Sequence, residues 1–150
     1  LDVACGTGVL FPDYLKRGVE SLTAIDISPE MAKIAASKFP QVNVICGDVE
    51  NTRFARQFDR IMVYNAFPHF PDPEGLTEHL SAFLREEGRL TVAHSISEKE
   101  LEECHSGSAK NVSLPLPSKE KLTELLSRFL EVDIAFSDER MYMVSGIIKK

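Results

Sequence analysis

Glycines and carboxylates recur at the ends of short apolar runs, and these are the residues whose types and spacing could do chemistry. The run Asp2-Val-Ala-Cys-Gly-Thr-Gly8 leads into a helical pattern. Gly6 and Gly8 let the chain turn sharply and let a ligand approach the backbone. Free N–H groups at a following helix start favour a bound polar group. Phe11 stands where the dinucleotide pattern GxGxxG has its third glycine, so a bound pyrophosphate is disfavoured. A side chain at Gly8 is expected to block a ligand while leaving the sheet folded. Asp26 ends the second apolar run, where a carboxylate is placed to accept two ribose hydroxyls. The same acid could instead interact with a helix dipole. Gly47-Asp48-Val49 ends the third run and also reads as an ordinary turn. His69 follows the fourth run and His94 ends the fifth. Either imidazole could accept a proton, or could pack and bond backbone. His105 with Glu102 and Glu103 could hold a metal, but nothing in the spacing requires one, and no metal site is expected.

The elements that must position these residues follow from periodicity and punctuation. Strands are expected over 1–5, 21–27, 42–46, 59–64 and 89–94. The first helix carries Leu10, Tyr14 and Leu15, with Gly18 as its cap. The second starts at Ser28-Pro29-Glu30 and runs through Met31, Ile34 and Ala35 to Pro40. Residues 53–56 read as helical or irregular, and 65–74, with three prolines, as loop. A helix carries Leu76, Leu80, Phe83 and Leu84 and ends near Gly88. Residues 95–117 are ambiguous and could form a substrate-facing cap. Ser118 starts a further helix, and two strands, 131–136 and 142–148, close the chain. Strands alternating with helices specify a parallel sheet covered on both faces, with an antiparallel hairpin at one edge.

The segment from Asp2 to Gly8 resembles motif I of the class I S-adenosylmethionine-dependent methyltransferases of the small-molecule type. That resemblance implies an α/β fold: a Rossmann-like, doubly wound, mostly parallel seven-stranded sheet with an antiparallel C-terminal hairpin strand. It implies that Asp2, Ala4, Gly6, Thr7 and Gly8 hold the cofactor S-adenosylmethionine. Asp26 then takes the ribose, and Ile27 and Met31 border the adenine. Gly47, Asp48 and Val49 meet the adenine edge, carboxylate to amine and N–H to ring nitrogen. Asn65, Ala66 and Phe67 form the wall beside the methionine part, and His69 and His94 are the catalytic candidates. Family members usually carry helices before motif I, and these are expected to be missing from this chain.

Bulk properties set the remaining bounds. One domain is expected over 150 residues, with 43% hydrophobic and 27% charged content. A net charge of −6 argues against nucleic acid as a partner. Cys5, Cys46 and Cys104 are odd in number and unpaired by spacing, which fits a reducing, cytoplasmic setting. No apolar stretch is long enough to span a bilayer. The expected activity is methyl transfer to a small molecule by in-line displacement, with a dimer possible. The alternatives are a nicotinamide-dependent oxidoreductase and a non-catalytic cofactor-binding module.

Overall fold

The computed structural model describes residues 1–95 and 115–149. They fall into two compact units, Leu1–Phe54 and Ala55–Lys150. The first unit holds β1 (Asp2–Val3), α1 (Phe11–Lys16), β2 (Thr23–Asp26), α2 (Pro29–Lys38) and β3 (Asn43–Cys46). Its strands run parallel in the order β3-β2-β1. The central strand β2 is buried along its whole length, as a strand flanked on both edges and both faces must be.

The core of this unit is Cys5, Phe11, Ala24, Ala35 and Val42, with Tyr14 and Phe39 packed on it. Phe11 and Phe39 meet edge to face, with ring centroids 5.2 Å apart. α1 ends as expected at Gly18, whose φ of 75° suits glycine. Gly18 N–H reaches the Leu15 carbonyl and Val19 N–H the Tyr14 carbonyl, which together satisfy the last turn. The Ser28 hydroxyl caps α2 by accepting from Met31 N–H at 3.3 Å. The buried face of α2 is Ala32 and Ala35, while Met31 and Ile34 stay 40% exposed. Of the expected run Met31, Ile34 and Ala35, only Ala35 faces the core. The two alanines let the helix backbone approach the sheet closely.

The second unit holds β4 (Phe58–Tyr64), a 3-10 turn (Phe67–His69), α3 (Pro73–Ala82) and β5 (Leu84–His94). It continues with α4 (Lys119–Leu126), β6 (Leu130–Ser137) and β7 (Tyr142–Ile148). Its strand order is β4-β5-β7-β6. β4 and β5 are parallel, and β7 runs antiparallel to both β5 and β6. Leu76, Leu80, Leu90, Leu122, Leu126, Tyr142 and Val144 are fully buried here.

Among the boundaries that differ from expectation, three have a clear local reason. α3 stops at Ala82 rather than near Gly88, and β5 begins at Leu84 rather than Arg89. Glu87 takes φ 61°, which no helix can pass through, and Leu84 already pairs with Phe58. The loop after β4 contains the 3-10 turn and yields to α3 at Asp72, whose carboxylate accepts from Gly75 N–H at 2.9 Å. Residues 53–56 are irregular. The expected cap over 95–117 falls mostly outside the described residues. Its far end is anchored, because Leu116 is buried and the Tyr142 hydroxyl donates to the Pro117 carbonyl at 2.9 Å.

Candidate functional site

The loop after β1 is built from left-handed residues in alternation. Ala4, Gly6 and Gly8 have φ of 53°, 56° and 81°. Such alternation turns successive N–H groups toward one side. Cys5 N–H extends the sheet by bonding the Ile25 carbonyl, and Gly8 N–H bonds the Cys5 carbonyl. The two glycines serve different needs. A Cβ at Gly6 would meet nothing within 4 Å, so the backbone there faces open space. A Cβ at Gly8 would sit 2.6 Å from the ring of Phe11, which is wholly buried. Gly8 therefore makes room for the core, and a side chain there would disturb packing, contrary to the expectation of a purely ligand-blocking effect.

Asp26 reaches the loop directly. Its Oδ2 accepts from Gly6 N–H at 2.7 Å and its Oδ1 from Ser28 N–H at 2.9 Å. Asp26 as a residue is 8% exposed. Ile27 and Met31 follow it, 71% and 40% exposed, which is a large apolar surface for side chains beside a polar loop. At the root of the loop, Asp2 is 2% exposed. Burial pushes its carboxyl up to about 7, and nearby Asp26 pushes the same way. Burial, with Asp2 and Asp26 adding, pushes the Cys5 thiol up to about 12, so it is no nucleophile at neutral pH. The Tyr14 hydroxyl is buried with no hydrogen-bond partner among the described residues, and burial raises its pKa as well.

After β3, Asp48 organises its own turn. Its Oδ1 accepts from Glu50 N–H at 3.0 Å and its Oδ2 from the Asn51 amide at 2.6 Å. Gly47 N–H bonds the Asp26 carbonyl at 2.9 Å, so the ends of β2 and β3 are held together. Thr7 is half-buried and Val49 is buried. The first unit thus brings Asp2, Ala4, Gly6, Thr7, Gly8 and Asp26 into one loop region, with Asp48 at the neighbouring strand end. Sequence reasoning placed Ser28 as the cap of α2 but missed its N–H donation to Asp26, although Asp-Ile-Ser before a helix is a recognisable turn signal.

In the second unit, Asn65 follows β4 with φ 53°. Its Oδ1 accepts from Ser95 N–H at 2.8 Å and its Nδ2 donates to the Ser95 hydroxyl at 3.0 Å. Asn65 thereby ties the carboxyl ends of β4 and β5. Ala66 and Phe67 are buried. His69 is exposed on the 3-10 turn. His94 is 3% exposed and packs against Tyr142, its cross-strand neighbour, with ring centroids 6.0 Å apart. His105 and its glutamates lie outside the described residues. No cluster of potential metal ligands occurs among the described residues.

Residues 1–92 match the family model described as "Methyltransferase domain". The chain belongs to the class I S-adenosylmethionine-dependent methyltransferases. Among similar proteins, malonyl-[acyl-carrier protein] O-methyltransferase 1 of Ilyobacter polytropus is 29% identical over 160 residues, covering 99% of this chain and 60% of the relative. The malonyl-[acyl-carrier protein] O-methyltransferase of Acetivibrio thermocellus is 36% identical over 96 residues, covering 62% of this chain and 34% of the relative. This methyltransferase chain therefore spans between a third and two thirds of the length of these relatives. The crystal structure of the plantazolicin methyltransferase BpumL with SAH and a pentazolic desmethylPZN analog superposes with a TM-score of 0.78 at 21% identity, covering 99% of this chain and 76% of that one. That likeness establishes the fold: a Rossmann-like methyltransferase sheet of seven strands, mostly parallel, with antiparallel C-terminal strands. No helix among the described residues of this methyltransferase is long and apolar enough to cross a membrane.

Proposed function

We propose that residues 1–150 form one methyltransferase domain that binds S-adenosylmethionine at the β1 loop and transfers its methyl group to a small-molecule acceptor. The observation that carries this reading is the Gly6–Asp26 pair. The backbone at Gly6 opens on free space, and beside it lies a carboxylate with acceptor capacity left on both oxygens. These residues fit an adenosyl ligand. Asp26 would accept the ribose hydroxyls, and exposed Ile27 and Met31 would border the adenine. Asp48 would accept from the adenine amine with the lone pairs its turn leaves free. When bound, the cofactor supplies a methyl group on a good leaving group, so the protein's task is alignment. An acceptor bearing a proton needs a base, and His69 and His94 are this chain's candidates. The O-methyltransferase names of the two relatives favour oxygen as the acceptor atom. The acidic balance of the chain supports a small molecule over nucleic acid, and the odd number and wide spacing of its cysteines support a cytoplasmic setting.

Calorimetry with S-adenosylhomocysteine on the complete protein tests the reading. Binding is expected in the micromolar range or tighter. Silence at ligand concentrations well above micromolar would reject it. Binding without turnover on any pool of acceptors would move the protein to a non-catalytic cofactor-binding role.

A further inference from the structure

Asp2 and Tyr14 share one face of the first unit. Asp2 is the register partner of Ala24, and Ala24 that of Val44. Register partners on neighbouring strands project to the same face of a sheet. Tyr14 and Val44 pack on the core cluster that contains Ala24, so the Asp2 carboxyl projects to the face that Tyr14 helps to cover. Asp2 is buried there. The Tyr14 hydroxyl is buried too and makes no hydrogen bond among the described residues. Burial lifts its pKa, and the Asp2 charge adds to the lift ahead of Asp13, its neighbour in sequence. The phenol therefore lies close to the carboxyl without bonding it directly. A buried donor in that position has given up its bond to solvent and calls for a partner. One water molecule satisfies both groups, because it accepts from the phenol and donates to the carboxylate.

We propose that Tyr14 is the positioning residue of Asp2: phenol and carboxyl share a buried site for one water molecule beneath the β1 loop, and that bridge fixes the carboxyl for the cofactor. This rests on the cofactor-binding reading above and adds a residue of α1 to the machinery that holds the ligand. The packing of α1 on the core asks only for a ring at this position, and the carboxyl accounts for the hydroxyl.

Tyr14→Phe keeps the ring and removes the bridge. In the complete protein it is expected to weaken S-adenosylhomocysteine about fivefold or more by calorimetry. That loss should vanish in an Asp2→Ala background, which has no carboxyl to position. Carbon NMR supplies readouts that ring packing alone would not move. The Asp2 carboxyl titration should shift upward in Tyr14→Phe, because the charged form loses a hydrogen bond. In the wild type the Tyr14 Cζ signal should follow the Asp2 titration, and in Asp2→Asn it should stay constant over the same range. Wild-type affinity in Tyr14→Phe overturns the positioning role. An Asp2 titration unmoved by Tyr14→Phe overturns the bridge, and an equal loss of affinity in both backgrounds overturns the coupling. Should Tyr14→Phe not fold, the wild-type Tyr14 signal decides alone, and one that ignores the Asp2 titration sinks the idea. A wild type that does not bind S-adenosylhomocysteine brings down the cofactor reading, while the NMR signals still decide whether phenol and carboxyl are bridged.

Discussion

The two glycines of the β1 loop separate ligand access from core packing at single residues. Gly6→Ala points a methyl group into open space from a residue at φ 56°. It is expected to cost about 1–2 kcal/mol of stability from the left-handed backbone and to weaken S-adenosylhomocysteine binding about tenfold or more. Gly8→Val drives a side chain into Phe11. It is expected to cost ~1–3 kcal/mol or more, visible in urea unfolding with no ligand present. A Gly8→Val protein that keeps the wild-type urea midpoint would contradict this division. Asp2 carries the pH dependence. Its folded pKa of about 7 lies above its ordinary 3.8, so the folded state holds the proton more tightly than the unfolded state. Its contribution to stability is full below about pH 4, falls as pH rises to about 7, and is flat above. At ~1.4 kcal/mol per unit the loss is at most about 4 kcal/mol. Asp2→Asn removes it, so the variant should gain on the wild type from pH 4 to 7 in thermal melts. A constant difference across that range would reject the assignment.

Among the elements, the C-terminal hairpin shows a chain irregularity used to place one side chain. The β6–β7 register shifts between Val132 and Ile134, which leaves Asp133 as the extra residue. A Cβ at Gly146 would lie 2.8 Å from the Glu131 carbonyl oxygen, so glycine permits the close approach at this bulge. Asp133 then takes both terminal nitrogens of Arg89 at 2.7 Å. Arg89 also donates to the Ser145 hydroxyl, which shares a 2.7 Å bond with Thr91 and donates to the Leu90 carbonyl. Arg89 holds the Asp133 carboxyl below its ordinary value, so this pair stabilises at neutral pH and is lost on acidification. Asp133 is 47% exposed, which discounts the pair to about 0.5–1 kcal/mol. A double-mutant cycle of Arg89→Met and Asp133→Asn in urea should return that coupling at pH 7 and progressively less as pH falls below the ordinary carboxylate range. Gly146→Ala should cost ~1–3 kcal/mol through the backbone clash, and a neutral result would mean the bulge is not held as described.

For the whole molecule, ligand and stability are linked. S-adenosylhomocysteine at a hundred times its dissociation constant adds ~2.7 kcal/mol to the folded state. For a chain of this size that is a rise of roughly 5–10 °C in Tm, while NADH at the same concentration should leave Tm unmoved. A larger shift with NADH than with the thioether would overturn the cofactor reading. By itself the sequence determined the alternation of strands and helices, the glycine loop after the first strand, and an acid at the end of the next. These are local matters of period, turn chemistry and capping, written within a few residues of each other, and Ser28-Pro29 and Gly18 are legible for that reason. The end of α3 was not legible, because a left-handed Glu87 has no glycine or asparagine to announce it. Only the tertiary structure decided that Asp26 closes on Gly6, that Gly8 yields to Phe11, that Asp133 turns to Arg89 and that His94 packs against Tyr142. Each of those depends on strand register and on which side chains share the same space, and neither is a property of any short stretch of chain.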